Sequence, residues 1–381
     1  MEAAGGNFVI VGATFNPKFV AVALGDADGL VMKINSAGDV LWTKRLGRNG
    51  IDIITSVIVD GRHYVMTGLT GLRGAGPLEQ QCWFLKMDDN GNVLQNKNFG
   101  GQNRDGGYQV IRVPDGNYLI VGVTDEPYGA KKGRGDVWLL KLTPEGKTLW
   151  SRTYDLGHRE FGTSIIPFQN DKFIITAVSC TADCGGMFQQ GFSAYLVIDS
   201  AGNVLKTVTF KQGPKNKFHK IIPAKDGGAL IVGATSKNEK FPAEDVWVVK
   251  LDASANVSWE KTFGARGRYD GGFSAIQTGD GGYLVAAYSQ TLQTPQMDFD
   301  NWWLLRLDSR GELMWSRWWG GALNDDPYAI IPTSDGGFVI AGWCDANSNI
   351  FKELSAGNAD CYVVKTNLKS MEEKETPNLI R

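Results

Sequence analysis

The chain has few of the residues that most often carry catalysis or bind nucleic acid. Its 381 residues include 3 His and 5 Cys, and its formal net charge is −2. Proteins that bind nucleic acid usually carry a basic excess, so we expect no nucleic-acid partner. No apolar run approaches the ~18 residues of a membrane-spanning helix, and MEAAGGNFVI at the start lacks the features of a signal peptide. We therefore expect no membrane span and no signal peptide.

Cofactor and metal motifs are also missing. The sequence has no phosphate-binding G-x-x-x-x-G-K-[ST] loop, no H-E-x-x-H and no Cys/His pattern at zinc spacing. The turns DDNGN (88–92) and DSAGN (199–203) lack the length and the final Glu of a calcium loop. We therefore expect no cofactor and no metal.

The cysteines are too few for a disulfide scaffold. Cys180 and Cys184 share the segment CTADC and could form a local disulfide. For Cys344 and Cys361 we favour free thiols, because Cys344 occupies a position that other copies of the repeat described below fill with Thr or Ser.

Glycine, by contrast, is abundant, and it marks an internal repeat. The chain has 48 Gly, and many lie in a turn that precedes a short apolar strand. Seven copies of this phrase recur about every 55 residues, a period typical of propellers and arrays. The copies are GGNFVIVGAT (from Gly5), DGRHYVMTGLT (from Asp60), PDGNYLIVGVT (from Pro114), QNDKFIITAVS (from Gln169), KDGGALIVGAT (from Lys225), GDGGYLVAAYS (from Gly279) and SDGGFVIAGWC (from Ser334).

Each repeat contains four strand-like pieces. The strand after the Gly turn is followed by one that alternates aromatic and aliphatic residues and ends in a basic one, as in VWLLKL (137–142). A tight turn then leads to a piece that carries a Trp in four copies, with Gln95 and Lys206 in two others. The fourth piece starts near an acid, as in YDGGFSAIQT (269–278). Short, evenly spaced strands with one aromatic position per unit indicate propeller blades.

The fold class is therefore predicted as all-β. We expect a single seven-bladed β-propeller of four-stranded antiparallel blades over 1–366, followed by a C-terminal tail, 367–381, that is solvated. The two middle strands occur seven times, but the Trp strand and the acid-initiated strand each occur clearly only six times. The first and last repeats should therefore be incomplete.

The turn Asp-x-x-Gly followed by Trp resembles the tryptophan-docking motif of pyrroloquinoline-quinone-type propellers. The whole unit resembles the "DGGY…W…FGG" repeats of bacterial and archaeal cell-surface propeller proteins. This resemblance implies that the Trp strand is outermost, that the acid-initiated strand is innermost, and that the protein is extracellular or on the cell surface. It does not extend to quinone chemistry, since the chain has no adjacent Cys pair.

Two columns of the repeat are expected to be structural. A large flat side chain can fill the wedge between neighbouring blades, and burying it contributes roughly 1.5–3 kcal/mol. The Trp residues of this column are Trp42, Trp150, Trp259 and Trp315. The basic column can lay its stems along the sheet with its charges near turn carboxylates. Its members are Lys33, Lys86, Lys141, Lys250, Arg306 and Lys365.

Sequence variation between the repeats is concentrated in the segments that join the two middle strands. Long, diverse connections in a compact domain are more often functional than idle. We therefore place any site on the face that carries them. The segments are 15–28, 71–81, 125–136, 180–193, 236–245, 290–301 and 345–360.

The acid-initiated strands begin at the centre of that same face. Their first residues combine carboxylates, aromatic rings and basic side chains, which could bind a sugar by stacking and polar contacts or bind a cation. Alternatively, each acid caps its own turn, and the aromatic residues belong to the core. The candidate ligand-binding residues are Arg104, Asp105, Tyr108, Arg159, Glu160, His219, Arg268, Asp270, Phe273, Asp325 and Tyr328.

Three functions remain open on the sequence alone. The leading hypothesis is a non-catalytic binding or scaffold module that recognises a protein or a glycan through its variable segments. The main alternative is a hydrolase or lyase that uses carboxylates and His219 at the central mouth. The third is a structural subunit of a surface layer or filament.

Overall fold

The protein is described here by a computed structural model. It describes residues 1–15, 27–47, 50–71, 80–101, 104–124, 135–180, 191–211, 213, 215–236, 243–264, 268–294, 297–319, 324–345 and 359–373. Within these residues the chain forms 26 β-strands, one 3-10 helix at Ala4–Gly6 and one α-helix. The strands pair into seven antiparallel sheets, so the prediction of an all-β seven-bladed propeller is confirmed. Among the described residues, no helix is long and apolar enough to cross a bilayer.

The chain divides into two compact units. The first comprises Met1–Pro167, Asp171–Gln189 and Ala194–Val208, and the second comprises Phe168–Asn170, Gln190–Ser193 and Thr209–Arg381. We number the sheets as blades one to seven in chain order and describe the contacts within each unit.

The first three blades lie in the first unit. Blade one has three strands: β1 (Phe8–Phe15), β2 (Ala27–Ile34) and β3 (Val40–Leu46). Blade two contains β4 (Ile53–Asp60), β5 (His63–Gly71), β6 (Gln80–Asp88) and β7 (Val93–Phe99). Blade three contains β8 (Gly106–Arg112), β9 (Tyr118–Thr124), β10 (Asp136–Leu142) and β11 (Thr148–Tyr154).

The remaining blades follow the same meander. Blade four contains β12 (Arg159–Phe168), β13 (Lys172–Cys180), β14 (Gly191–Ile198) and β15 (Val204–Phe210). Blade five contains β16 (Lys215–Pro223), β17 (Ala229–Ser236), β18 (Asp245–Leu251) and β19 (Val257–Phe263). Blade six contains β20 (Asp270–Gln277), β21 (Tyr283–Thr294), β22 (Met297–Leu307) and β23 (Leu313–Trp319). Blade seven has three strands, β24 (Asp325–Pro332), β25 (Phe338–Asp345) and β26 (Ala359–Thr366), and α1 (Leu368–Glu373) follows it.

The incomplete first and last repeats are confirmed. Blade one has no acid-initiated strand, and blade seven has no Trp strand among the described residues. In the four-stranded blades the acid-initiated strand and the Trp strand occupy the two edges. The middle strands are buried almost throughout, as β9 and β17 show, whereas a Trp strand such as β7 or β11 is mostly exposed. Two-sided burial explains why the middle strands are continuous apolar runs rather than alternating ones.

The rings of Trp42, Trp150 and Trp259 each pack on a turn of the following blade. A Cβ atom on Gly91 would lie 3.2 Å from the Trp42 ring, and one on Gly311 would lie 2.7 Å from the Trp259 ring. The Trp42 indole N–H also donates a hydrogen bond to the Asp89 carbonyl at 3.2 Å. These turn glycines have φ near +80°, which Gly adopts without strain. Glycine at this turn position therefore leaves room for the ring and also adopts the left-handed backbone conformation that the turn requires.

The basic column also has structural contacts. Lys33 pairs with Asp89 at 2.6 Å in the turn of the next blade, whereas Lys141 pairs with Asp115 at 2.6 Å within its own blade. Lys250 pairs with Asp226 at 2.7 Å and Lys365 with Asp335 at 2.7 Å. The stems of Lys33 and Lys250 are buried, so each side chain covers apolar strand surface and keeps its charge at a turn carboxylate.

The start of the C-terminal tail is partly packed, since Asn367 and Lys369 are exposed whereas Met371 is buried. Residues Leu368–Glu373 form a short helix, and Met371 is buried in a core cluster of blades six and seven. Trp315, the last member of the Trp column, packs against this same cluster. Blade seven is followed by this helix rather than by the Asp-x-x-Gly turn that seats the other tryptophans.

Candidate functional site

The acids that begin the inner strands are buried. Asp52, Asp105, Glu160 and Asp270 are each 0% exposed, and Asp325 is 1% exposed. The residue at this position accepts a hydrogen bond from a hydroxyl at the end of the neighbouring strand in its own blade. These pairs are Thr70–Asp52, Thr124–Asp105, Ser179–Glu160 and, with an amide in place of the acid, Thr235–Asn216.

The same residues also link each blade to the one before it. The backbone N–H of Asp52 donates to the Ala27 carbonyl at 2.7 Å, and that of Asp270 donates to the Glu244 carbonyl at 2.7 Å. Asp105 and Glu160 make the equivalent bonds to Gln80 and Gly135. Two of the acids also cap their own turns, because Asp105 accepts the Gly101 N–H at 2.7 Å and Glu160 accepts the His158 N–H at 2.5 Å. The first acids of the inner strands are buried rather than facing solvent.

The ionisation of Glu160 is shifted by its surroundings. Burial raises the pKa of its carboxyl to about 7. Its Oε1 atom accepts the His158 backbone N–H at 2.5 Å and the Ser179 hydroxyl at 3.2 Å. Hydrogen bonds to the ionised form lower a pKa, but here burial outweighs them.

The aromatic column lies on β-bulges of the inner strands. In four blades the residue three positions after the first acid or amide is left without a partner on the adjacent strand. These bulged residues are Thr55, Tyr108, His219 and Phe273. The pairing of β24 with β25 is irregular over the stretch that contains Tyr328. A bulge changes the direction of a side chain, so three of the candidate residues, Tyr108, His219 and Phe273, share one local backbone feature.

In the second unit the bulged residues form a row of aromatic rings. His219 stacks on Phe273 with ring centroids 5.1 Å apart, and Phe273 meets Tyr328 edge to face at 5.1 Å. Tyr288 lies 5.2 Å from Phe273 on the same blade. Tyr328 is 55% exposed, so the row ends in a large aromatic surface that faces solvent.

The first unit holds the remaining described candidates. Tyr108 meets Phe161 edge to face at 6.4 Å. The guanidinium groups of Arg104 and Arg159 lie over the Phe161 ring at 6.0 Å and 5.2 Å. The structure therefore brings these four residues together, whereas Arg268, in the second unit, is half-buried just before β20.

His219 is held as a neutral imidazole. Its Nδ1 atom lies 2.9 Å from the Gly272 carbonyl oxygen, so Nδ1–H donates. Burial, and then the charge of Lys217, lower its pKa to about 4. Lys217 itself pairs with Glu244 at 2.8 Å in a buried ion pair.

The pKa of His219 predicts a pH dependence of stability. Between the folded pKa of about 4 and the unfolded value of 6.5, the unfolded chain binds more protons, so the folded state loses stability as the pH falls. At pH 5 the His219 contribution should amount to about 2 kcal/mol less stability than at pH 7. Urea unfolding of wild type and His219→Phe at both pH values measures it.

The comparison with His219→Phe is needed because Asp326, whose pKa burial raises to about 7, titrates with the opposite sign. Phe retains the stacking on Phe273 and removes the titrating ring. An equal pH dependence in the two proteins would contradict the prediction.

Several predicted features lie outside the described residues. They include Cys184 and most of the variable segments: 16–26, 72–79, 125–134, 181–190, 237–242 and 346–358. Cys180 is buried at the end of β13. A bridge between Cys180 and Cys184 therefore stays a prediction.

The comparisons with known proteins bear on the fold. No family model and no curated protein sequence matches the chain. Puromycin hydrolase matches with a TM-score of 0.53 and 10% identity over 97% of this chain and 51% of that one. A lignostilbene dioxygenase from Pseudomonas brassicacearum matches with a TM-score of 0.52 and 14% identity, covering 93% and 86%. A protein of unknown function from Dyadobacter fermentans matches with a TM-score of 0.51 and 11% identity, over 84% of this chain and 95% of that one.

This chain is similar to all three in fold. Identities of this size show the propeller alone, because one fold hosts unrelated activities. Nothing about substrate or reaction transfers from them.

Proposed function

We propose that the protein is a non-catalytic binding propeller that recognises a protein or a glycan. The variable segments and the aromatic row of the second unit provide the contact surface, and the repeated blades provide a rigid support. The resemblance of the repeats to cell-surface propeller proteins favours a location outside the cell or on its surface.

One observation carries this proposal. At the starts of the inner strands the carboxylates are buried in hydrogen bonds within the blades, whereas Tyr328 is 55% exposed at the end of the aromatic row. An enzyme that uses paired acids needs them within reach of a substrate. A flat ring with few rotatable bonds suits stacking on a sugar or on an apolar side chain instead.

A glycan array with the purified full chain tests the proposal. We expect binding that falls about tenfold or more in Tyr328→Ala, since an aromatic anchor removed from an interface costs upwards of about 1 kcal/mol. Leu149→Ala, which truncates an exposed residue on the edge strand β11, is the matched control and should bind as wild type. Replacing 346–358 with a Gly-Ser linker should also weaken binding without lowering the melting temperature.

Two results would contradict this test. One is unchanged binding in both the Tyr328→Ala and the linker variants. The other is that no glycan binds and that a protein-interaction screen finds the same partners for wild type and for the linker variant.

A second candidate function rests on His219. A neutral imidazole with one nitrogen committed to a carbonyl, as found here, has the other nitrogen in the form of a general base. A hydrolase or lyase built on it should lose turnover in His219→Ala while the fold is retained. A panel of chromogenic ester and glycoside substrates distinguishes this candidate from the binding function, because only an enzyme gives turnover.

A further inference from the structure

Three carboxylates meet where blade three adjoins blade four in the first unit. Asp136 begins β10, Asp155 follows β11, and Glu160 lies in β12. One oxygen of each lies within 4.8 Å of one oxygen of the other two. Like charges at this separation repel, so a proton or a cation among the three would stabilise the group.

The repeat makes this group unusual within the chain. Gly47, Gly100 and Gly264 occupy the position that Asp155 holds in blade three, and the inner acid that follows each of them is Asp rather than Glu. A Cβ on Gly47 would lie 2.6 Å from the Asp52 carboxylate, and one on Gly264 would lie 2.8 Å from that of Asp270. Blade four has Lys211 at this position and blade three has an acid, and the inner strand that follows blade three carries the longer acid Glu160.

Glu160 supplies a second, independent observation. Its side chain is fully buried, and its Oε1 atom takes both the His158 N–H and the Ser179 hydroxyl. Its Oε2 atom has no hydrogen-bond partner among the described residues. A buried carboxylate oxygen left in this way costs about 1–3 kcal/mol unless something else binds it.

We propose that Asp136, Asp155 and Glu160 bind one divalent cation and that the cation is Ca²⁺. Ca²⁺ takes six to eight oxygen ligands in a flexible geometry, and three carboxylate oxygens that all lie within 4.8 Å of one another can share one such ion. Mg²⁺ demands near-ideal octahedral geometry and usually keeps several waters, so a site of three protein carboxylates suits it less well. Water and backbone carbonyls complete the shell of such an ion.

The ion would join two blades. Asp136 and Asp155 belong to blade three and Glu160 to blade four. It would also fix the strand that follows the variable segment 125–134. This site is independent of the proposed binding function and is tested separately.

Calorimetric titration of the EDTA-dialysed full chain with CaCl2, and in parallel with MgCl2, tests the site. We expect one Ca²⁺ per chain, weaker Mg²⁺ binding, and a rise in melting temperature with CaCl2. Asp155→Gly introduces the residue that blades one, two and five carry at this position and should weaken Ca²⁺ binding about tenfold or more, because affinity follows the number of ligand charges. Glu145→Gln, which removes an exposed acid in the turn of the same blade, should bind as wild type.

Asp155→Asn keeps the shape of the side chain and provides a second measurement of Ca²⁺ affinity if the Gly variant folds poorly. The proposal is overturned if neither salt produces heat or a melting shift, or if Asp155→Gly and Asp155→Asn bind Ca²⁺ as tightly as wild type. The first of these results would mean that the three carboxylates are stabilised by a shared proton alone.

Discussion

Replacing Gly233 with Ala should destabilise the protein by about 3 kcal/mol, the upper part of the range for overpacking a buried site. A Cβ at this position would overlap the backbone carbonyl oxygen of Lys217 on the facing strand. That carbonyl belongs to the bulge that carries His219, where pairing shifts between Phe218 and Lys220. The strand cannot retreat easily, because Phe218 stacks on Trp247 at 4.6 Å in the core.

Chemical denaturation of Gly233→Ala and of Gly279→Ala measures the effect. Gly279 lies in a turn where an added Cβ meets nothing within 4 Å, so its substitution should be neutral or slightly stabilising. Blade six already carries Ala287 at the position of Gly233, but there the facing residue is Gly272, whose backbone has no side chain to anchor it. Equal stabilities of the two variants would show that the bulge yields freely.

Truncating Trp259 should have the next largest effect, a loss of about 2–3 kcal/mol. The ring is half-buried against the core of the second unit, meets Tyr283 at 6.4 Å and lies on the Gly311 turn. Removing it takes the ring from the wedge and uncovers the turn of the following blade. Val257→Ala, on an exposed position of the same strand, should change stability by no more than about 0.5 kcal/mol.

A double-mutant cycle makes the docking explicit. Gly311→Ala should destabilise the wild type because its Cβ would lie 2.7 Å from the Trp259 ring. The same substitution should cost less in Trp259→Ala, where the clash is gone and only the strain of φ +80° remains. Additive free energies of unfolding would contradict contact between the two residues, since non-interacting sites add.

Much of the fold could be predicted because its signals are local and repeated. The Gly turns, the apolar runs of the middle strands and the tryptophans each recur at a fixed spacing, and one residue type suffices for each role. Unequal counts of inner and outer strands predicted the incomplete blades. The short helix at Leu368–Glu373 escaped prediction because it offers only two apolar residues, Leu368 and Met371, too few for a helical pattern. Both pack against the core of blades six and seven.

The candidate site was predicted less completely. The sequence showed that the position three residues after the acid recurs in the repeats. It did not show that the strand bulges there, because the pairing register depends on the facing strand. The sequence also left the role of the acids open. Only the structure places them inside the blades, bonded to hydroxyls about 19 residues further along the chain.

The sequence by itself determined the seven blades and the order of strands in each, since those follow from periodicity and turn chemistry. The tertiary structure decided which side chains are buried and which meet. Asp136, Asp155 and Glu160 come together because the start of β10, the end of β11 and the start of β12 lie close to one another where blades three and four adjoin. His219, Phe273 and Tyr328 form a row because successive inner strands carry bulges at the same height. Such contacts join residues of different repeats, and no local pattern encodes them.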